Sequence, residues 1–314
     1  MSLGFNVRCH IRKGRENHGW LESLPVEFVE ADVFDVPSLD PLLDGVEYVF
    51  HIGGVTKAKR REDYFRGNVV ATKNLLQASL THSSIKKFCY LSSLTAVGPS
   101  KDGNPLDETA PCRPITTYGV SKLQAEKAVA SYSSRIPTLI LRPPAVYGPR
   151  DKDILELYRA VRFGIQPVIG SKRKTLSLIH VSDLTRGIVE AAVSEKTDGK
   201  IYFVTDENIH HYQELFKILE EIMGKRTISV PIPGFLLFSL ASITEVVSTL
   251  APRPAVLSID KARDLLQTHW VCSGKKLTAE TGFKTSIAIR EGLAETYRWY
   301  ESKGWLKLGT IFGR

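Results

Sequence analysis

Tyr118-Gly119-Val120-Ser121-Lys122-Leu123-Gln124-Ala125-Glu126-Lys127-Ala128-Val129 has helical spacing, and a tyrosine four residues before a lysine puts both side chains on one helical face. An ammonium beside a phenol favours the phenolate and lowers a pKa that is ~10 in isolation. A phenol tuned that way passes a proton to or from a carbinol oxygen at neutral pH. Taken alone, Tyr-x-x-x-Lys is also what a solvated helix face looks like. The flanking stretches decide between the two. Upstream, Phe88-Cys89-Tyr90-Leu91-Ser92-Ser93 reads as an apolar strand ending in two hydroxyls. Downstream, Thr138-Leu139-Ile140-Leu141-Arg142-Pro143-Pro144-Ala145-Val146-Tyr147-Gly148-Pro149 is a second strand running into a rigid turn.

Outward from this core, short apolar strands are predicted at residues 5–11, 26–31, 46–51, 86–91 and 138–141. Helical spacing fills the intervals, most clearly at 64–81 and 118–132. Near-continuous apolar strands separated by helices argue an α/β fold with a doubly wound parallel sheet covered on both faces. Beyond residue 150 the rhythm loosens into helices near 154–163, 182–194, 212–223 and 286–303. Residues 1–150 are expected to form the sheet domain. Residues 151–314 are expected to form mainly a smaller lobe, interleaved with the last sheet elements.

With these pieces in order, the chain resembles the extended short-chain dehydrogenases/reductases of the NAD-dependent epimerase/dehydratase superfamily. It is most similar to the branch of 3β-hydroxysteroid dehydrogenases and dihydroflavonol reductases. Besides the tyrosine helix, the matching pieces are Val49-Phe50-His51-Ile52-Gly53-Gly54, Gly67-Asn68-Val69-Val70-Ala71-Thr72, Ile179-His180-Val181-Ser182-Asp183-Leu184 and Tyr297-Arg298-Trp299-Tyr300. The resemblance implies a Rossmann-like dinucleotide-binding domain at 1–150 and a substrate-binding lobe at 151–314. It implies that Ser93 holds the reacting oxygen against Tyr118. Tyr118 would act as general acid in ketone reduction and general base in alcohol oxidation, with Lys122 lowering its pKa and bonding the nicotinamide ribose.

The same resemblance assigns cofactor contacts. Asp32 and Val33 would touch the adenine, Gly53 and Gly54 would let backbone approach the dinucleotide, and Pro144 and Val146 would flank the nicotinamide. Asn68 sits in a helix interior, a poor place by propensity, and would order the nicotinamide region. An acidic residue after the second strand suits a free ribose, whereas arginine suits a 2′-phosphate. The chain offers Arg12-Lys13-Gly14-Arg15, so NADP is preferred and NAD is possible. Each of these residues also has a plain reading: turn, cap or surface. Asp183 most simply N-caps the helix or turn that follows it, and His180 reads as a core histidine.

One family feature is absent. No Gly-x-x-Gly-x-x-Gly occurs in the chain, although such a turn normally holds the pyrophosphate at a helix N-terminus. Residues 4–12 instead resemble the family's second strand. The expectation is therefore an N-terminally truncated Rossmann-like sheet, lacking the first strand and glycine loop (about twenty to thirty residues), that binds dinucleotide poorly. The strand at 5–11 would either shift to pair with 46–51 or leave a gap.

The expected function is hydride transfer between NADP(H) and a secondary alcohol or ketone on a partly apolar substrate. One alternative is a nucleotide-sugar epimerase using NAD; another is a non-catalytic binding or sensor protein on the same fold. Related dehydratases carry Thr-Asp-Glu where this chain has Ser93-Leu94-Thr95, which disfavours dehydration.

Composition bounds the rest. The chain has 314 residues, 43% hydrophobic and 24% charged, ordinary for a globular protein. Cys9, Cys89, Cys112 and Cys272 show no paired spacing, which suits reduced thiols and a cytoplasmic setting. No histidine or cysteine grouping has metal-ligand spacing. The net charge of +8 concentrates in Lys57-Ala58-Lys59-Arg60-Arg61 and Lys172-Arg173-Lys174 without aromatic interleaving, so no nucleic-acid partner is expected. The apolar stretch 233–252 approaches the length of a membrane span but carries Glu245 and bounding prolines. A helix of the substrate lobe is the better reading, and loose membrane association stays open. Finally, the helices at 64–81 and 118–132 match the pair through which relatives form a four-helix interface, implying a homodimer.

Overall fold

In a computed structural model, which describes residues 4–15, 17–171, 173–250 and 257–306, the apolar runs are strands and the periodic stretches are helices. The first half runs β1 (Arg8–Arg12), β2 (Glu27–Ala31), α1 (Asp40–Leu43), β3 (Tyr48–His51), α2 (Arg61–Phe65), α3 (Ala71–Ser79), β4 (Lys87–Leu91), α4 (Thr117–Ala130), β5 (Thr138–Arg142) and β6 (Ala145–Tyr147). The second half runs α5 (Leu155–Arg162), β7 (Ile165–Ile169), β8 (Thr175–Leu176), β9 (Leu178–His180), α6 (Val181–Val193), β10 (Lys200–Phe203), β11 (His210–His211), α7 (Tyr212–Met223), β12 (Ile228–Ile232), α8 (Gly234–Leu250), α9 (Ile259–Leu266), β13 (His269–Trp270), α10 (Lys275–Thr281) and α11 (Ile289–Ser302). Lys172 and residues 251–252, parts of stretches singled out above, lie outside the described residues.

The principal sheet has the order β10-β5-β4-β3, with all neighbours parallel. Every residue of β5 is buried, because the two-residue period of a strand sends alternate side chains into two separate cores. Phe88, Tyr90 and Ile140 point into a cluster with Leu39, Leu76 and Val129. Cys89, Leu139 and Leu141 point into another with Ile179, Ile188 and Tyr202. Helices α3 and α4 cover the first face and α6 the second, which gives the Rossmann-like α/β layering. Strand β10 comes from residue 200 onward, so the second half of the chain completes the sheet.

Of the two outcomes expected for the first strand the structure shows the gap, and one expected helix needs correction. The strand at 5–11 does not shift sideways: β1 pairs only with β2, in parallel register Arg8↔Glu27 to Arg12↔Ala31. Among the described residues, no strand pairs with the outer edge of β3. The β1–β2 ribbon is anchored instead by the Arg8 guanidinium, whose Nη1 donates to the carbonyls of Pro41, Leu42 and Asp44. The Phe5 ring meets Tyr48 edge-on at 6.2 Å. The helix expected at 64–81 is three pieces. A π-helical turn, Arg66–Val70, joins α2 to α3, and such widened turns concentrate at functional sites.

Candidate active site

The parallel strands all aim their C-terminal ends at one edge, where ligands of open α/β sheets bind. Strand β4 delivers Ser92 and Ser93 there, β3 delivers Gly53 and Gly54, β5 delivers Pro143 and Pro144, and the β1–β2 ribbon delivers Arg12 and Asp32.

Helix α4 is set across this edge by close backbone contact. A Cβ at Gly119 would lie 2.3 Å from the Thr95 carbonyl oxygen, so only glycine lets the helix start rest on the 3-10 turn Leu94–Ala96. Two caps fix its start. The Thr116 hydroxyl accepts from Gly119 N at 3.0 Å, and the Asp260 carboxylate accepts from Thr117 N at 2.6 Å.

This docking brings the Tyr118 phenol near enough to the Ser93 hydroxyl for the serine to bear on its pKa. The Ser93 oxygen already accepts from Thr95 N at 3.2 Å and from the Thr95 hydroxyl at 2.9 Å, which leaves its own proton free to donate. One helical turn along, the buried Lys122 donates to the Leu91 carbonyl at 2.6 Å and sits 4.2 Å over the Tyr90 ring.

The electrostatics of the site are set first by burial. Burial pushes the Tyr118 phenol up to about 12, opposed by the Ser93 hydroxyl. The Lys122 ammonium is directed at the Leu91 carbonyl and the Tyr90 ring. Burial lowers Lys122 to about 8, and the Glu126 carboxylate partly offsets that fall. Buried His51 is pushed down to about 3 by burial, helped by the charges of Lys122 and His10. It is therefore neutral, bonded to the Thr72 hydroxyl at 2.9 Å.

Asn68 lies buried in the π turn and earns its unusual position with three bonds. Its oxygen accepts from Val55 N at 2.7 Å, and its amide donates to Val55 O at 3.0 Å and to the Ser121 hydroxyl at 2.8 Å. It thereby ties the loop after β3 to α4. A Cβ at Gly54 would lie 2.9 Å from Asn68 Oδ1 and 4.0 Å from Lys122 Nζ, so glycine keeps this corner open, whereas Gly53 meets nothing within 4 Å.

The remaining predicted residues divide. Leu94 N donates to Pro143 O at 2.8 Å, which ties the turn carrying buried Pro144 to the turn that follows Ser93. Val146 turns away and packs against the cluster around Leu139 and Leu141. Exposed Arg12 and Asp32 share the ribbon's C-terminal edge, but Asp32 is also engaged locally, accepting from Phe34 N at 2.9 Å. The Val33 carbonyl accepts from Asn74. Asp183 does not cap its own helix. His180 does so through Ser182 N, while Asp183 accepts from Ser286 N, Ser286 Oγ and Ile287 N and so clamps the approach to α11.

Sequence reasoning missed two groups. Glu126 receives a bidentate pair from Arg142 at 2.9 and 2.6 Å and a 2.5 Å bond from the Ser92 hydroxyl, all buried. One carboxylate thus fastens α4 to the ends of β4 and β5. The Ala-Glu after Lys122 was the visible signal, but its partners lie on other strands. Asp260, at the helix start, had no local signal at all.

Residues 2–204 match the model of a single family. The chain belongs to the NAD dependent epimerase/dehydratase family. It is similar to the ceramide reductase of Caulobacter vibrioides (strain NA1000 / CB15N), 28% identical over 96% of this chain and 89% of that protein. It is also similar to the N-acetyl-alpha-D-glucosaminyl-diphospho-ditrans,octacis-undecaprenol 4-epimerase of Escherichia coli O157:H7, 24% identical over 85% of this chain and 82% of that protein. Among solved structures, that of gox2253 superposes with a TM-score of 0.80 at 23% identity, covering 98% of this chain and 93% of the other; the fold is shared.

The family's dinucleotide fits the described residues at one end. Tyr118, Lys122, Ser93 and the bare Gly53–Gly54 corner would receive the nicotinamide and its ribose. At the pyrophosphate end the fit fails. β1 leads into a turn closed by Arg15 N and Arg12 O at 3.1 Å, then into the short 3-10 turn Gly19–Leu21. Among the described residues, no glycine-rich turn at a helix N-terminus follows β1, β2 or β3.

Proposed function

We propose that this family member is a reductase of ketones on moderately large, partly apolar substrates, using NADP(H) through Ser93, Tyr118 and Lys122. The observation that carries the reading is the convergence of Tyr118 and Ser93, close enough for the serine hydroxyl to bear on the phenol, with Lys122 one turn away under the same helix. A phenol raised to about 12 is protonated at neutral pH, the state needed to give a proton to a carbonyl oxygen. Ser93, its lone pairs already engaged by Thr95, donates its proton to the same oxygen and fixes its position. Lys122 supplies positive charge where negative charge develops. The dinucleotide, when bound, supplies the hydride. Dehydration would need an acid–base pair after Ser93, where Leu94 is buried and Thr95 is bonded to Ser93. The ceramide relative acts, by its name, on a lipid, in keeping with a partly apolar substrate.

The test is consumption of NADPH at millimolar cofactor with a panel of lipid and steroid ketones, alongside UDP-sugars. Net oxidation of NADPH by an apolar ketone is the expected result. Sugar epimerisation without net cofactor oxidation would overturn the reading in favour of an epimerase.

Two measurements follow from the site's charges. Because Lys122 titrates near 8 and Tyr118 near 12, kcat/KM for reduction should be level around neutrality and fall as pH rises through about 8, where the ammonium is lost. The linkage has matching sign. The folded pKa lies below the unfolded 10.5, so burying the charge costs stability below about 8, and that cost fades as pH rises towards 10.5. A descending limb centred near 12 would assign the titration to Tyr118 instead.

Arg12 should set cofactor preference. Arg12→Ala is expected to weaken NADPH roughly ten-fold more than NADH, because a charged hydrogen bond to the 2′-phosphate is worth about 1.5–3 kcal/mol. Equal losses for both cofactors in a titration would make Arg12 a surface residue only.

A further inference from the structure

Helix α8 has a face that nothing in the described structure covers. Leu237 and Ala241, four residues apart, point inward against Ala262 of α9 and the ends of β7 and β12. On the opposite side Phe235, Leu236, Leu240, Ile243, Val246 and Val247 are between 51% and 74% exposed. Among the described side chains the only other residues of that outer face are Ser239 and Ser242, so the described face is apolar with no charge. The helix's single ionisable residue, Glu245, is turned away and accepts from Ile259 N at 2.9 Å. The apolar character continues into the strand before it: Ile228 is 75% exposed and Val230 40%, beside Phe163 at 55% and Ile165 at 42%. Scattered exposed apolar residues need no explanation, but a contiguous uncharged face of this size marks an interaction site.

Its surroundings are basic. Arg162, Lys225 and Arg226, all exposed, adjoin the apolar residues of β7 and β12. At the other side, Tyr64 is close enough to Glu245 and Asp260 to feel their charges. The loop just before Tyr64 carries Lys57, paired with Asp153 at 2.9 Å, and then Lys59, Arg60 and Arg61 ahead of Glu62 and Asp63. Apolar bulk rimmed by cations complements a layer of anionic headgroups over hydrocarbon. No helix among the described residues is long and apolar enough to cross a membrane, so such contact would be made by a helix lying flat.

We propose that the outer face of α8, with the exposed edge of β7 and β12, docks this protein on the surface of an anionic phospholipid bilayer. The face is on the substrate side of the molecule, since α9, packed against α8, supplies the Asp260 that caps the Tyr118 helix. The docking does not depend on which reaction Tyr118 carries out.

Vesicle flotation tests it, using the 314-residue chain with phosphatidylcholine alone and with about 30% phosphatidylglycerol added. Flotation with the mixed vesicles is expected, at least ten-fold weaker with phosphatidylcholine alone and reduced at roughly 0.5 M salt. Phe235→Glu combined with Ile243→Glu should lower binding at least ten-fold with an unchanged circular-dichroism melt, because both side chains are already in solvent. Should that pair fail to fold, Arg162→Glu with Lys225→Glu and Arg226→Glu is the second variant; it should abolish the preference for anionic lipid. Three results would overturn the proposal: no flotation of the wild-type chain, flotation insensitive to either set of substitutions, or substitutions that instead split a dimer in sedimentation, which would give the face to a second copy of the chain.

Discussion

Tyr118→Phe is expected to lower kcat for ketone reduction by about 10²–10⁴-fold, the range a positioned general acid supplies. The substitution removes one oxygen and leaves the ring, so the packing of α4 on the Leu94–Ala96 turn should survive. Affinity for the dinucleotide should change little, because Lys122 and the Gly53–Gly54 corner are untouched. The check is steady-state NADPH consumption at millimolar cofactor, paired with a cofactor titration. Retention of most activity would remove Tyr118 from the chemistry. A parallel loss of cofactor affinity would recast it as a binding residue.

The second large effect concerns stability. Glu126→Ala would leave the Arg142 guanidinium buried without its carboxylate and release Ser92. Breaking one partner out of a buried pair costs about 3–5 kcal/mol, because the remaining charge is uncompensated. Chemical denaturation of the variant beside the wild type measures this. Glu126→Gln, which keeps the shape and one acceptor, should cost less. If Glu126→Ala unfolds with an unchanged midpoint, solvent reaches Arg142 and the pair is not the clamp described here. Removing Glu126 also removes the charge that holds Lys122 up, so the alkaline limb of activity should move below about 8 in Glu126→Gln.

The legible parts of this protein were those whose physics is local or doubly buried. Strands β4 and β5 were readable because burial on both faces demands unbroken apolar runs such as Phe88-Cys89-Tyr90-Leu91. Tyr118 and Lys122 were readable because helical spacing alone puts them on one face. What spacing could not reveal is which acceptor an ammonium reaches. Lys122 is taken by the Leu91 carbonyl and the Tyr90 ring, residues about thirty positions away, and the phenol is governed by burial. The Glu126–Arg142–Ser92 junction and the Asp260 cap were illegible for the same reason, since each joins segments remote in sequence. The π turn at Arg66–Val70 leaves no mark in residue periodicity beyond an asparagine in an awkward place. Val146 pairs with Ile179 of β9, and its half-buried side chain packs against the cluster around Leu139 and Leu141.

The isolation of the β1–β2 ribbon has a kinetic consequence. A two-stranded sheet is at best marginally stable by itself, and no β1 side chain belongs to the buried cluster that Ala31 joins from β2. Opening the ribbon therefore sacrifices little, and it should breathe independently of the four-stranded sheet. In native-state hydrogen exchange the amides of Arg8–Arg12 are expected to lose their protons well before those of Lys87–Leu91 and Thr138–Arg142. Arg12 would then sit on an element less persistent than the four-stranded sheet, and any preference it imposes between two cofactors would be limited by how much of the time that element is formed.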